Sequence, residues 1–481
     1  MDDLETLTID SFNGGISPLP AKGVRGSFAF GQGLNIREKN TLKCNQAMKK
    51  DSATTVTDLA LTMFKASNGY VLAFGDTGKI YAKVAGTWVL KYTDPDGKIT
   101  GACEFKSTSD TYILYATQTK LKRIILDAFL GALTIADVTT VGTFTNGNSN
   151  DFHTMRNAIG VVIVCDGDLN AMYDYNDAFN PAALRMPSGT LAKALLDRND
   201  RIINGTKMSG LSEGYFITWD RKADSWNDKK SAQGDGVNGM GFLESGVVAQ
   251  VGSNGKLKYW NFGETSPLTV IPKTGTTYPG GVVTHNTMPH FAMNGGTRNG
   301  VYSIGRIDLN NPRALNLEYV PSHGKLTGTE IGAIASDGDD LYVAWKDGTT
   351  YGIDVTDQNN KALGVYESLE LNMTKSGIEK LFRTIKPLLA EPLPAGCSVV
   401  VKYRATRTNS KETAVADAEG WVQVDQLDGE TTINRTGAMK GNFGLEGQGE
   451  KLEMRIELHP NGNTSPEIDS LHIGFSFMDK L

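Results

Sequence analysis

The sequence predicts an all-β fold: a degenerate β-propeller of about seven blades followed by a C-terminal β-sandwich. Three observations lead there. The first is a repeated phrase, an apolar strand, an Asp/Gly turn and a second strand carrying an aromatic. It is clearest at Leu341-Tyr342-Val343-Ala344-Trp345, Asp347-Gly348 and Tyr351-Gly352-Ile353. It recurs at Tyr70 to Tyr81 around Gly75-Asp76-Thr77-Gly78, and at Val247 to Trp260 around Gly252-Ser253-Asn254-Gly255. The second is its period. Apolar strand cores near Tyr70, Tyr112, Val161, Ile202, Val247, Phe291 and Leu341 are separated by 41 to 50 residues. Four strands of about five residues with their turns fill such a length, as in a propeller blade. The third is a change of texture after residue 365, where long strands alternate apolar and charged residues.

The bulk composition fits. A chain of 481 residues can bury a sizeable core and divides naturally into more than one domain. Hydrophobic residues make up 40% and charged residues 21%, which excludes a disordered chain. Gly, at 54 against 16 Pro, points to many tight turns. The net charge of -6 excludes a global basic field for nucleic acid, and Lys120, Lys122 and Arg123 read as a solvated strand face. Cys44, Cys103, Cys165 and Cys397 are far apart with no paired spacing, which argues against disulfides and zinc. The acidic start Met1-Asp2-Asp3-Leu4-Glu5 carries no secretory signal, and no run of apolar residues reaches membrane-spanning length. The expectation is a soluble protein made in a reducing cytoplasm.

In chain order, residues 1–60 read as an extended arm packing on the propeller. Phe12-Asn13-Gly14-Gly15-Ile16 and Gly26-Ser27-Phe28-Ala29-Phe30 put apolar side chains among glycines, so Phe12, Ile16, Phe28 and Phe30 are candidate partner contacts. Residues 61–365 form the propeller; a large irregular β-sandwich is the alternative. Two windows have helical character. One is 191–196; the other is 375–389, for which a strand over Leu381-Phe382-Arg383-Thr384-Ile385 is preferred. Residues 366–481 form a β-sandwich of seven or eight strands, with Leu452, Met454, Ile456 and Leu458 on one face.

Chemistry is sparse. No nucleophile stands beside a base, and the six histidines do not take a metal-binding spacing; His285 and His290 come nearest. Asp76, Asp166, Asp168, Asp337, Asp339, Asp340 and Asp347 fall mostly in turns, where Asp satisfies local backbone. The segments Asp166-Gly167-Asp168 and Asp337-Gly338-Asp339-Asp340 lack the spacing of a calcium loop. No catalytic residue, cofactor or metal ligand is assigned, and no enzyme activity is expected. Trp219 and Trp226, beside Asp220 and Arg221, are further candidate partner contacts, with blade-core packing as the competing reading.

The layout resembles virion proteins of tailed bacteriophages. A Phe-Asn-Gly-Gly-Ile arm and a degenerate propeller precede the closing segments Phe382-Arg383-Thr384-Ile385-Lys386-Pro387, Val399-Val400-Val401-Lys402-Tyr403-Arg404 and Ser465-Pro466-Glu467-Ile468-Asp469. In size and domain order the chain is similar to tail-hub or nozzle proteins of short-tailed phages. The resemblance implies a non-enzymatic ring homo-oligomer, commonly a hexamer, in the virion tail, made in the host bacterial cytoplasm. It would sit below the portal and adaptor and pass DNA through its lumen without sequence-specific binding. The acidic balance agrees with such a conduit, since a negative lumen repels DNA. A receptor- or glycan-binding tail-tip protein, contacting a host surface receptor, is the alternative. A propeller glycosidase is a third.

Overall fold

Seven apolar runs become the second strands of seven four-stranded antiparallel sheets, the blades of a propeller. These strands are Val71–Gly75, Thr111–Ala116, Val161–Asp166, Ile202–Met208, Gly246–Val251, Met288–Met293 and Asp340–Asp347, and every spacing anchor lies in or beside one of them. A second strand is covered on both faces by neighbouring blades, so its residues are buried almost without a break. Fourth strands run along the rim. Asp228–Ser231 is wholly exposed, and Thr87–Thr93 is largely so. The computed structural model describes residues 4–17, 19, 22–37, 40–52, 55–147, 152–158, 160–198, 200–222, 225–252, 256–270, 275–305, 313–373, 377–408, 416–445 and 447–478. Ser253, Asn254 and Gly255 of the third expected turn, Pro18 and Pro20 of the arm, and Lys375 and Ser376 of the second helical window lie outside them.

Blades 1 to 6 span residues 60–93, 101–143, 155–185, 190–231, 237–270 and 282–319; blade 7 takes residues 329–361 and, as its fourth strand, Gln46–Lys50. The closing strand is clamped beyond its end. Asp51 N and Ser52 N donate to Ile353 O at 2.8 and 3.2 Å, and Ile353 N donates to Ser52 Oγ at 2.9 Å. The first strands of successive blades touch one another around the centre. At Gly332 a Cβ would lie 2.2 Å from Ala60 O, so the absence of a side chain lets blade 7 approach blade 1. The Asp/Gly turns are hairpin turns: Gly78, Gly252 and Gly348 have φ of +86°, +68° and +60°, the left-handed region that glycine tolerates.

Two compact units are separable. One comprises Lys49–Val301 and Pro321–Thr356, and the other Met1–Met48, Tyr302–Val320 and Asp357–Leu481. The second unit holds a nearly closed sheet of 11 strands. Its long members pair antiparallel: Lys380–Leu389 with Glu467–Phe477, and Ser398–Thr408 with Gly447–His459. Leu452, Met454, Ile456 and Leu458 are fully buried on one face, as their alternation requires.

The N-terminal segment packs against Ala314–Tyr319 of blade 6, as the expected arm would, and also contributes strands of its own. Glu5–Ile9, Phe30–Gln32, Leu34–Asn35 and Leu42–Cys44 are strands of this same sheet, Glu5–Ile9 pairing with Glu467–Phe477. An open sheet edge presents unpaired backbone groups, and an extended Gly-rich segment fills that role with few steric demands. The sheet therefore holds more strands than residues 366–481 supply. The 191–196 window is also not helical. Thr190–Asp197 is the first strand of blade 4, bulged between Ala192 and Ala194 and paired with Ile202–Met208. Six residues are too few to nucleate a helix against that pairing. Lys380–Leu389 is the strand preferred for the second window.

Candidate functional site

The central channel offers the first cavity. Between the first strands of blades 3 to 6 lies a space of about 250 Å³ lined by Thr154, Arg156, Lys193, Lys207, Asn238 and Tyr278, among others. Channel-facing positions of inner strands need no apolar side chain, and the cations enter there. Arg156 Nε donates to Leu195 O at 3.3 Å. Its side chain is exposed within the cavity, yet the surrounding protein disfavours the charged form and lowers its pKa. Lys207 Nζ lies 3.3 Å from Asp235 Oδ1. The far wall is tied down: Tyr278 OH donates to Glu330, and Phe152 meets the Tyr278 ring edge-on at 5.5 Å. This arrangement can attract a small anion, but its volume is that of one small molecule and not of a nucleic-acid duplex.

Among the carboxylates singled out by sequence, Asp166 holds backbone and others meet side chains. Asp166, fully buried, accepts from Thr145 N at 2.9 Å and from Asn146 N, while Asn146 Nδ2 donates to Asp168 Oδ1 at 2.7 Å. Asp76 and Asp347 face Lys98 and Lys325 at 3.2 and 2.7 Å, and Asp337 accepts from Lys65. His285 and His290 meet edge to face at 5.4 Å, but His285 Nδ1 lies 2.8 Å from Ser336 Oγ and His290 Nδ1 3.0 Å from Met288 O.

The candidate partner contacts lie inside the chain. Phe12, Phe28 and Phe30 are buried, the first two packing on Tyr366 at 5.5 and 5.7 Å, and Ile16 packs against the same core. The apolar area of Phe12, Phe28 and Phe30 is removed from water by the chain's own second unit, while Ile16 is only partly buried. Trp219 belongs to a core cluster of blades 3 and 4, with Trp226 packed against it. Lys122 is likewise buried rather than on a solvated face, held by Asp94 at 2.7 Å. The channel cations were not singled out by sequence reasoning. Lys193 amid Leu191-Ala192 and Ala194-Leu195 was the available signal, a charge inside an apolar strand.

On the rim, Val89, Leu90, Ile125, Leu130 and Ile135 are 41, 47, 43, 66 and 72% exposed. Lys91 Nζ donates to Gly131 O at 2.9 Å, which brings the fourth strand of blade 1 beside the 3-10 segment Leu126–Leu130 of blade 2.

Fold and site together define a seven-bladed β-propeller protein with an attached, nearly closed β-sheet. No protein-family model matches this chain, and no curated protein sequence does. Among solved structures, it is similar to the computationally designed Ika8 protein, at 11% identity and a TM-score of 0.40, covering 64% of this chain and 99% of that one. It is also similar to the extracellular domain of a hybrid two-component system from B. thetaiotaomicron, at 13% identity and a TM-score of 0.43, covering 70% of this chain and 43% of that one.

Proposed function

We propose that this chain is a non-enzymatic structural component of a bacteriophage tail, a ring-forming hub or nozzle protein that extends the DNA-ejection conduit. The observation that carries the reading is the exposed apolar side chains of Val89, Leu90, Ile125, Leu130 and Ile135 on the outer parts of blades 1 and 2, which a contact with a neighbouring copy would cover. A ring is built from heterologous contacts, in which such a patch meets a different surface of the next copy. The order of propeller and closing β domain, on which the resemblance to phage tail proteins rests, supports the same reading. DNA would then pass along the ring axis between copies, because the propeller's own channel is too small for it. Portal, adaptor and neighbouring tail proteins are the expected partners.

A receptor- or glycan-binding role at the tail tip is the second reading, favoured by the cationic lining of the propeller channel. Native mass spectrometry and negative-stain microscopy of the full chain test the first reading, together with immunodetection in purified phage particles. Closed rings and presence in particles are expected. A stable monomer that never enters particles overturns it.

A further inference from the structure

A second cavity, of about 290 Å³, lies where blades 4 and 5 meet, away from the central channel. Its inner wall is formed by Ile203, Thr218 and Trp260, all buried. Two of these carry an unsatisfied polar atom. Among the described residues, neither Trp260 Nε1 nor Thr218 Oγ1 has a hydrogen-bond partner, although the residues are only 4 and 5% exposed. A buried indole N–H can only donate, and leaving it unmatched is unfavourable. An acceptor oxygen brought to the cavity wall would satisfy it.

The charge around the opening agrees. Arg198, Arg201, Lys229 and Lys230 line it with a single carboxylate, Asp228, in a protein whose net charge is -6. That carboxylate is engaged by Arg201 Nη1 at 3.4 Å. Arg201 also meets Asp200 at 3.3 Å and Lys229 Nζ sits 3.8 Å over the Tyr215 ring, so the charge offered to a ligand is that of Arg198 and Lys230. Phe262 supplies an aromatic wall: Arg198 sits 3.8 Å over its ring, and the ring lies 4.8 Å from Trp260. Its backbone is left-handed, with φ of +69°, a costly conformation for a bulky residue. Asn261 Oδ1 holds the turn by accepting from Gly263 N and Glu264 N at 2.9 and 2.7 Å.

We infer that this cavity binds an acidic sugar, a single pyranose ring bearing a carboxylate such as a uronic or sialic acid. The carboxylate meets the Arg198 and Lys230 side of the opening, ring oxygens accept from Trp260 Nε1, and Thr218 Oγ1 donates to or accepts from a hydroxyl. Single-stranded nucleic acid fits less well. It needs a groove with successive stacking surfaces, whereas the Trp260 ring already stacks on Phe216 at 4.7 Å. The inference does not depend on assembly into a tail.

The test titrates the full chain with glucuronate and N-acetylneuraminate, with glucose, inorganic phosphate and thymidine monophosphate as comparison probes. Tryptophan fluorescence and calorimetry are read together. Saturable binding of an acidic sugar, weaker by at least about tenfold for glucose, phosphate and the nucleotide, is expected. Trp260→Phe, which keeps an aromatic ring and removes the N–H, and Lys230→Glu on the exposed rim should each lower affinity about tenfold, with melting temperature showing the variants folded. The inference is overturned if no acidic sugar binds, if the nucleotide or phosphate binds as tightly, or if both folded variants bind like the parent.

Discussion

At the scale of single residues, buried charges in both units are held by named partners, and their removal has calculable consequences. Asp94 accepts from Lys122 Nζ at 2.7 and 2.8 Å, from Tyr115 OH at 2.6 Å and from Asp96 N at 2.8 Å. Burial alone would lower the Lys122 pKa, but its hydrogen bonds to Asp94 and Asp96 outweigh burial and hold it above the ordinary lysine value. Asp94→Ala leaves that ammonium without its main partner, and a loss of about 3–5 kcal/mol is expected in urea unfolding. Asp94→Leu with Lys122→Met should recover most of it. In the other unit, Glu457 faces His459 at 3.7 Å, Lys402 at 2.8 Å and Arg455 at 3.1 Å. These neighbours push its pKa down to about 2 from the usual 4.5, against the opposing effect of burial. His459, at 3.7 Å, is too distant for a hydrogen bond, so Lys402 and Arg455 carry most of the effect. A depressed carboxylate stabilises the fold above its unfolded pKa and loses that contribution as pH falls from about 4.5 towards 2. The contribution is about 1–2 kcal/mol after solvent screening. Melting curves of Glu457→Gln between pH 7 and 3 should therefore fall less steeply than those of the parent.

At the scale of elements, closure of the propeller depends on Gln46–Lys50 and the residue after it. Asp51 accepts from Lys83 Nζ at 2.9 Å and from Trp88 Nε1 at 2.7 Å, which ties the end of blade 7's outer strand to blade 1. Asp51→Ala is expected to cost about 2–4 kcal/mol, with faster amide exchange concentrated in residues 46–52 and 87–93. Uniform exchange across all seven blades would show that the clamp is not local. The second strands were legible because burial on both faces demands continuous apolar residues, as in Val161-Val162-Ile163-Val164. First and fourth strands were not. Thr190–Asp197 carries Lys193 and small alanines because it borders the channel, and Asp228–Ser231 reads as a polar loop because nothing covers it. The candidate contacts Phe12 and Phe28 were misplaced for a related reason. Glycines around an apolar residue look the same in an arm and in short strands tucked against a core.

At the scale of the whole molecule, the rim of blades 1 and 2 decides the proposed assembly. Leu130→Asp with Ile135→Asp puts charge on two strongly exposed side chains that contribute little to the core, so the fold should be retained. Rings are expected to fall apart into monomers with an unchanged melting temperature, measured by native mass spectrometry. Persistence of the rings would move the interface elsewhere.

By itself the sequence determined the all-β class, the blade period and the hairpin turns. Each is a local requirement: double-sided burial fixes the apolar strand, and a left-handed turn calls for glycine. Only the tertiary structure decided that Glu5–Ile9, Phe30–Gln32, Leu34–Asn35 and Leu42–Cys44 join the C-terminal sheet, that Gln46–Lys50 closes blade 7, and that Arg198, Thr218 and Trp260 line one cavity. Strands join a sheet edge through backbone groups common to every residue. The sequence therefore holds little record of which distant edge a strand will meet, or of which side chains that meeting brings together.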